Sequence, residues 1–271
     1  MGGGSLATLP PMSDVELSFA YEHVFERHLT RDALANVATH PKTLEAVRRQ
    51  REWLSLHLGS DDGQAALTVV EAGCLHGGLL SSFHSLSAPR TLRCFEPSTR
   101  FHAQLKKRFG TLNNASLAAG GRAAGGRAEL TGGLFNGYAL PAGSVDLVLS
   151  SHVLEHAADA CTWLDSTWHA LRPGGHVFTE VPVDRAQAEV GRAPFFHLLF
   201  FDEASFARMM LARGFTQVGE TMENQASGSL PARTRIPHKP SAAPPAAAHP
   251  ARTCSVPVHT LHAPHPFAVQ V

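Results

Sequence analysis

A glycine-rich turn and an acidic residue that follows it are the features of this sequence that point most directly to chemistry. In the run VVEAGCLHGG, Gly73 and Gly77 come directly after an apolar segment that includes Glu71. Glycines at such a turn let the backbone approach a ligand at the start of the next helix. A second apolar run, RCFEPS, contains Glu96, about 20 residues further on, where a carboxylate can accept both hydroxyls of a ribose. The spacing predicts a site for an adenosine-containing cofactor.

Two classes of cofactor compete for this turn. A dinucleotide site requires the pattern G-x-G-x-x-G, whose middle glycine lets a pyrophosphate approach the backbone. Here the three positions are Gly73, Leu75 and Gly78. Because a leucine at the middle position obstructs a pyrophosphate, the sequence favours an adenosine cofactor that lacks one.

Histidines supply the candidate bases. The segment HVLEH predicts a short helical turn with His152 and His156 on one face, four residues apart. Either imidazole, or that of His197 in FFHLLFF, could take a proton near neutral pH, and the structural alternative is a hydrogen bond to the backbone. H-x-x-E-H is also the zinc motif of one peptidase class, but that motif needs a long helix, whereas this segment follows a strand directly. We therefore assign no metal ligand from the sequence.

The elements that must position these residues alternate along the chain. A capping box at Ser13 and Glu16 predicts the start of one helix, and a second helix is expected over residues 42–59. Short apolar runs then predict strands, and helical patterns lie between them. The expected strands are 67–73, 91–97, 145–151, 176–181 and 215–220, and the expected helices are 77–87, 97–109, 158–171 and 202–213. This alternation predicts an α/β fold with a mostly parallel sheet and helices on both faces.

Composition excludes several classes of protein. The 271 residues carry 23 basic and 23 acidic side chains, so the formal net charge is zero, which disfavours a nucleic acid as partner. No apolar run reaches the roughly 18 residues of a membrane span. The four cysteines stand far apart without a C-x-x-C pair, and the start of the chain lacks the pattern of a secretory signal. We therefore expect no disulfide framework and a cytoplasmic location.

The order of several segments carries a resemblance to a known family. EAGCLHGGLL, CFEPS, LPAGSVDLVLSSHVLEH and LRPGGHVFTEVP follow one another as in class I S-adenosylmethionine-dependent methyltransferases. Among these the chain is most similar to the small-molecule group that carries an SxHVLEH segment. The resemblance covers roughly residues 65–220. It implies a Rossmann-like, seven-stranded methyltransferase sheet.

The resemblance also implies a division into domains and a set of cofactor contacts. We expect a flexible N-terminus over 1–12, an N-terminal helical cap over 13–60, the methyltransferase domain over 61–224 and a disordered Pro/Ala/His-rich tail over 225–271. The resemblance implies that Glu71 and Gly73 lie near the methionine portion of S-adenosyl-L-methionine, and that Gly77 allows close packing beneath it. Glu96 would hold the ribose, Asn136 would bind the adenine amino group, and the backbone at Ser150 and Ser151 would contact the methionine amino group. The neighbouring residues Cys74, Pro97 and Gly137 complete the implied set of cofactor-binding residues.

The activity implied is methyl transfer to an oxygen, nitrogen or carbon atom of a small molecule, with His156 and His152 as candidate catalytic residues. We expect no membrane partner, and a protein acceptor stays open. Leu75 stands where the family has a glycine, and Asn136 stands where it has an acid. These two departures keep an alternative open, in which the domain is catalytically silent and acts through protein contacts.

Overall fold

The structure is a computed structural model of the 271-residue chain. It describes ten segments of the chain. They are residues 5–7, 13–23, 37–58, 67–84, 90–118, 127–182, 197–201, 203–223, 232–238 and 258–260.

The described residues of the N-terminal part are mainly helical. Strand β1 (Ser5–Ala7) precedes helix α1 (Asp14–His23), and a 3₁₀ turn at Val37–Thr39 precedes helix α2 (Pro41–Leu58). The predicted capping box forms at the start of α1. The backbone N–H of Ser13 donates to Oε2 of Glu16 at 2.7 Å, and the N–H of Glu16 donates to Oγ of Ser13 at 3.3 Å.

Strands and helices then alternate as the apolar pattern predicts. The strands are β2 (Leu67–Ala72), β3 (Arg90–Glu96), β4 (Arg127–Gly132), β5 (Val145–Ser151), β6 (Leu171–Pro182), β7 (Leu199–Phe200), β8 (Thr216–Glu223), β9 (Ala232–His238) and β10 (Val258–Thr260). The helices are α3 (Gly78–Ser81), α4 (Thr99–Ala118), α5 (Ala160–Ala170) and α6 (Glu203–Ala212), with 3₁₀ turns at Gly137–Ala139 and Leu154–His156.

The main sheet has the strand order β4-β3-β2-β5-β6-β9-β8. The first five strands are mutually parallel, which confirms the predicted α/β fold with a mostly parallel sheet, while β9 pairs antiparallel with both β6 and β8. The chain reverses its direction of winding between β2 and β5. In open parallel sheets, ligands bind at the carboxyl ends of the strands at such a switch point.

Alternate residues of the strands enter opposite layers of the core. Val69 packs in a cluster with Leu54 of α2 and Leu105 of α4, whereas Val70 packs in a second cluster with Leu164 of α5. Successive side chains of a strand point to opposite faces, so this division places helices on both sides of the sheet, as predicted.

Three elements differ from the expectation. Strand β4 was not predicted, because only Ala128 among its six residues is buried and its sequence shows no apolar alternation. The helix expected over 77–87 is the single turn α3. The residues of β9 lie inside the expected disordered tail, yet they pair with two strands of the sheet.

A second sheet of three short strands has the order β10-β1-β7. It pairs residues of the expected flexible N-terminus with residues of the expected tail: Ser5 lies opposite Val258. Across the described ranges, no helix has both the length and the hydropathy that a membrane span requires.

Candidate active site

The parallel strands bring the predicted residues to one edge of the sheet. Ala72 of β2 lies opposite Phe95 of β3 and opposite Ser150 of β5, and Ser151 lies opposite Glu180 of β6. Glu71, Glu96, Ser150 and Ser151 therefore meet at the carboxyl ends of neighbouring strands. This edge includes the switch point between β2 and β5.

The turn after β2 has the backbone conformation of a glycine loop. Gly73 and Gly77 have φ of +63° and +72°, and Leu75 between them has φ of +51°. A methyl group at Gly73 would come within 2.6 Å of Cγ2 of Val153, and one at Gly77 within 2.8 Å of Cδ2 of Leu105. The first glycine therefore lets the HVLEH segment approach the turn, and the second lets α4 approach it.

Glu96, the last residue of the neighbouring strand β3, accepts a hydrogen bond from this loop. Its Oε2 accepts the backbone N–H of Leu75 at 2.7 Å, and its Oε1 accepts the N–H of Ser98, beyond Pro97, at 2.9 Å. The side chain is buried, and burial raises the pKa of the carboxyl although both hydrogen bonds act to lower it. A carboxylate offers about four acceptor positions, so two remain for further donors.

Glu71 lies beneath the loop rather than in an open crevice. It is buried, and its Oε2 accepts the backbone N–H of Leu80 in α3 at 3.0 Å. Burial raises the pKa of Glu71 to about 8. The hydrogen bond from the N–H of Leu80 acts to lower this pKa, and the nearby charge of Glu96 adds a smaller increase. This carboxyl therefore holds the first helical turn and carries a proton at neutral pH.

The sequence predicts no disulfide framework, but the structure pairs Cys74 with another cysteine. Cys74 forms a disulfide with Cys94, and their Cα atoms are 5.8 Å apart. The two residues are 20 positions apart in the chain, but β2 and β3 are adjacent and Glu71 lies opposite Cys94. Chain spacing alone does not reveal a pair that adjacent parallel strands bring together. The backbone carbonyl of Cys74 accepts the N–H of Gly77 at 2.6 Å, which helps to close the turn.

Asn136 and Gly137 follow β4 and begin a 3₁₀ turn. Oδ1 of Asn136 accepts the N–H of Tyr138 at 3.0 Å and so caps that turn. A methyl group at Gly137 would lie 2.0 Å from the backbone oxygen of Ser166 in α5, so only glycine fits there. Asn136 also lines a cavity of about 220 Å³, together with Leu17, Tyr138, Val153, His156 and Trp163.

The two candidate catalytic histidines do not share a helix face. His152 is exposed and has φ of +53°, a left-handed conformation, and the 3₁₀ turn begins only at Leu154. The prediction that His152 and His156 share one face of a helical turn is wrong, because this turn is too short and too tight for an α-helical repeat. Both rings instead flank Glu155: Nδ1 of His152 is 3.4 Å from Oε1, and Nε2 of His156 is 3.8 Å from it.

The pKa values of Glu155 and of the histidines around it are shifted in different directions. Burial acts to raise the pKa of Glu155, but the neighbouring histidines outweigh it and lower that pKa. The side chain of His152 is 44% exposed; desolvation of its remaining surface acts to lower the pKa, yet the contact and charge of Glu155 raise it. Burial lowers the pKa of His197 to about 4 and keeps its imidazole neutral at physiological pH.

Sequence reasoning missed a partly buried hydrogen-bond network beside Ser151. Oε2 of Glu180 accepts from Oγ of Ser151 at 2.7 Å and from Nε2 of Gln50 at 2.6 Å, so helix α2 is tied to the carboxyl edge of the sheet. An acid within the apolar strand sequence HVFTEVP is the signal that could have revealed Glu180. Gln50 gives no such signal, because the helix carries many polar residues.

Comparison with known proteins agrees with this geometry. The sequence matches a family model described as a methyltransferase domain over residues 25–220. Among curated proteins, none matches it significantly.

Solved structures share the fold at low sequence identity. The 1,6-didemethyltoxoflavin-N1-methyltransferase of Burkholderia thailandensis, crystallised with S-adenosylhomocysteine, has a TM-score of 0.57 and 18% identity over 86% of this chain and 94% of its own. Geranyl diphosphate C-methyltransferase of Streptomyces coelicolor has a TM-score of 0.56 and 12% identity over 85% of this chain and 100% of its own. The cyclase SpnF has a TM-score of 0.55 and 11% identity over 89% of this chain and 100% of its own.

These three neighbours differ in reaction, so the shared fold does not by itself specify an acceptor. The family model, in contrast, spans more than half of the chain and the whole of the parallel sheet. The chain belongs to the methyltransferase-domain family, and the resemblance to class I S-adenosylmethionine-dependent methyltransferases is confirmed.

Proposed function

We propose that this chain transfers the methyl group of S-adenosyl-L-methionine to an oxygen, nitrogen or carbon atom of a small molecule. The observation that carries the proposal is the meeting of the glycine loop with Glu96 at the switch point between β2 and β5. S-adenosyl-L-methionine supplies an activated methyl on sulfonium, together with its own leaving group.

The residues of the loop fit an adenosine cofactor. Each oxygen of Glu96 accepts one backbone N–H, which leaves acceptor positions for the two ribose hydroxyls. Leu75 takes the left-handed backbone path of the glycine that it replaces, and its side chain is 41% exposed. The loop thus keeps the shape of a glycine loop, although a leucine stands at its centre.

The remaining contacts follow from the family resemblance. Asn136 and the N–H of Gly137 would bind the adenine, and the backbone at Ser150 and Ser151 would hold the methionine amino group. The carbonyl oxygen of an asparagine accepts the hydrogen bond that an acid accepts in the family. The protein's task is then to align the acceptor with the methyl group and to exclude water.

The cavity of about 220 Å³ is our candidate for the acceptor site. His156 lines it and can take a proton from an acceptor hydroxyl, while exposed His152 is the second candidate base. Leu17 of α1 also lines the cavity, which supports a role for the N-terminal helices in covering the acceptor. We keep a cytoplasmic location as part of this proposal.

Methyl transfer can be tested without knowing the acceptor. The chain is incubated with methyl-labelled cofactor and with sets of phenols, amines and carbon acids, and S-adenosylhomocysteine is measured. The proposal expects product with one nucleophile class, and a lower rate for His156→Gln than for His40→Gln, which changes an exposed histidine of the N-terminal region. Cofactor binding without product from any class would favour the alternative, a catalytically silent domain that acts through protein contacts.

A further inference from the structure

A cluster of one carboxylate and two imidazoles lies where two segments of the chain meet. The first is the 3₁₀ turn Leu154–His156, and the second precedes β7. The backbone N–H of Leu198 donates to the carbonyl of Glu155 at 2.8 Å, which fixes the second segment against the turn. The rings of His156 and His197 then lie edge to face, with centroids 4.9 Å apart.

The carboxylate of Glu155 is buried without hydrogen bonds. The residue is fully buried, and neither of its oxygens receives a hydrogen bond from the described part of the chain. Nδ1 of His152 lies 3.4 Å from its Oε1, and Nε2 of His156 lies 3.8 Å from the same oxygen. A buried carboxylate is costly unless donors or a cation compensate it, so its environment calls for a positive charge.

Glu155, His156 and His197 offer three ligand atoms that all lie within 4.8 Å of one another. Ligand atoms around one tetrahedral zinc ion, each about 2.0–2.2 Å from the metal, are roughly 3.4 Å apart. Small side-chain rotations therefore suffice to close the set around an ion. Two imidazoles and one carboxylate suit zinc and similar transition metals, whereas magnesium and calcium prefer oxygen ligands.

We propose that Glu155, His156 and His197 bind one divalent transition-metal ion, of which zinc is the best fit. Three protein ligands leave one coordination position open, as in catalytic zinc sites. His156 also lines the cavity of about 220 Å³, so the open position would face that space. His152 stays outside the ligand set and orients the carboxylate of Glu155 from 3.4 Å.

The acceptor class follows if the proposed function also holds. An acceptor that reaches the ion would carry an oxygen donor, such as a phenol or an enol, and the ion would acidify it so that its proton passes to water. Metal binding engages a ring nitrogen of His156, so the ion and not that imidazole would then activate the acceptor. This part depends on methyl transfer, whereas the metal site itself does not.

Cobalt(II) is a suitable probe, because its visible absorption reports coordination at a zinc-type site. The full chain is stripped with a chelator and titrated with cobalt(II), then with zinc in competition. We expect one equivalent to bind. Glu155→Gln and His197→Gln should each lose more than about a hundredfold in affinity, since loss of an outer partner alone costs about 10–100-fold. His40→Gln should bind like the unaltered chain.

Thermal unfolding in the presence and absence of zinc separates metal loss from misfolding. Zinc should raise the midpoint of the unaltered chain and leave that of the doubly substituted Glu155→Gln/His197→Gln chain unchanged, while both fold in chelator. Cobalt binding of equal strength in the double variant, or no binding to the unaltered chain, would overturn the proposal. Binding of S-adenosylhomocysteine in chelator, measured on the same samples, tests the proposed function separately.

Discussion

The backbone N–H of Leu75 donates a hydrogen bond of 2.7 Å to Oε2 of Glu96. This contact joins the centre of the glycine loop after β2 to the last residue of β3. Leu75 adopts φ of +51° here, a conformation that is costly for any residue with a Cβ atom. The carboxylate expected to bind the ribose thus also holds the loop that approaches the cofactor.

Replacement of Leu75 by glycine should stabilise the protein. A left-handed conformation costs a non-glycine residue about 1–2 kcal/mol, and glycine removes that cost at the expense of a more flexible unfolded chain. We expect the free energy of unfolding to rise by up to about 1 kcal/mol in chemical denaturation.

The control for this change is Leu44→Gly, at a half-exposed position within helix α2. It should destabilise the protein by about 1 kcal/mol, because glycine is a poor helix former. Equal destabilisation by both changes would mean that Leu75 is not strained.

Glu96→Gln should weaken the binding of S-adenosylhomocysteine. The amide cannot accept at both ends, so it loses a bond to the loop and a bond to the ribose. A hydrogen bond to a charged group contributes about 1.5–3 kcal/mol, which corresponds to a loss of roughly 10–100-fold in affinity by calorimetry. Glu129→Gln, on edge strand β4, should leave the affinity unchanged. Unchanged binding by Glu96→Gln would place the ribose elsewhere.

Much of this site was predictable from local sequence. The ends of β2, β3 and β5 place Glu71, Glu96 and Ser150 at one edge, and apolar runs are enough to predict those strands. What the pattern could not reveal depends on contacts across strands. The pairing of Cys74 with Cys94 and the bond between Gln50 and Glu180 arise from strand register and helix packing.

Local backbone geometry was the second feature that could not be predicted from the sequence. The HVLEH segment reads as a helical turn, but φ of +53° at His152 redirects the chain before Leu154. Strand β4 was missed because it lies at the edge of the sheet, where few side chains are buried. Strained and edge positions follow tertiary contacts more than local propensity.

Stability should depend on pH through Glu71. Its pKa is about 8 in the folded chain against an ordinary value of 4.5, so the folded state binds the proton more tightly than the unfolded state. The stability that this group contributes is complete below pH 4.5 and is lost as the pH rises through 8.

Glu71→Gln keeps a neutral acceptor for the N–H of Leu80 and removes the titration. In urea unfolding, the unaltered chain should lose stability relative to the variant between these two pH values, at up to roughly 1.4 kcal/mol per pH unit. Parallel stability curves for the two proteins would show that Glu71 does not titrate in this range.

Gly137→Ala should disrupt the fold near the expected adenine site. Its methyl group would lie 2.0 Å from the backbone oxygen of Ser166, which cannot move without shifting α5. We expect a loss of about 3 kcal/mol or more in the free energy of unfolding.

Gly110→Ala is the matched control within helix α4, where a methyl group meets nothing within 4 Å. It should stabilise the protein by up to about 1 kcal/mol. A mild effect of Gly137→Ala on unfolding would mean that the turn can move away from α5.

Calorimetric titration with S-adenosylmethionine, S-adenosylhomocysteine and NAD tests the central claim most directly. Our account predicts one site per chain for each adenosyl compound at micromolar affinity, and no heat from NAD, whose pyrophosphate would meet Leu75. If the folded protein gave no binding heat with either adenosyl compound, or bound NAD alone, the result would contradict this account.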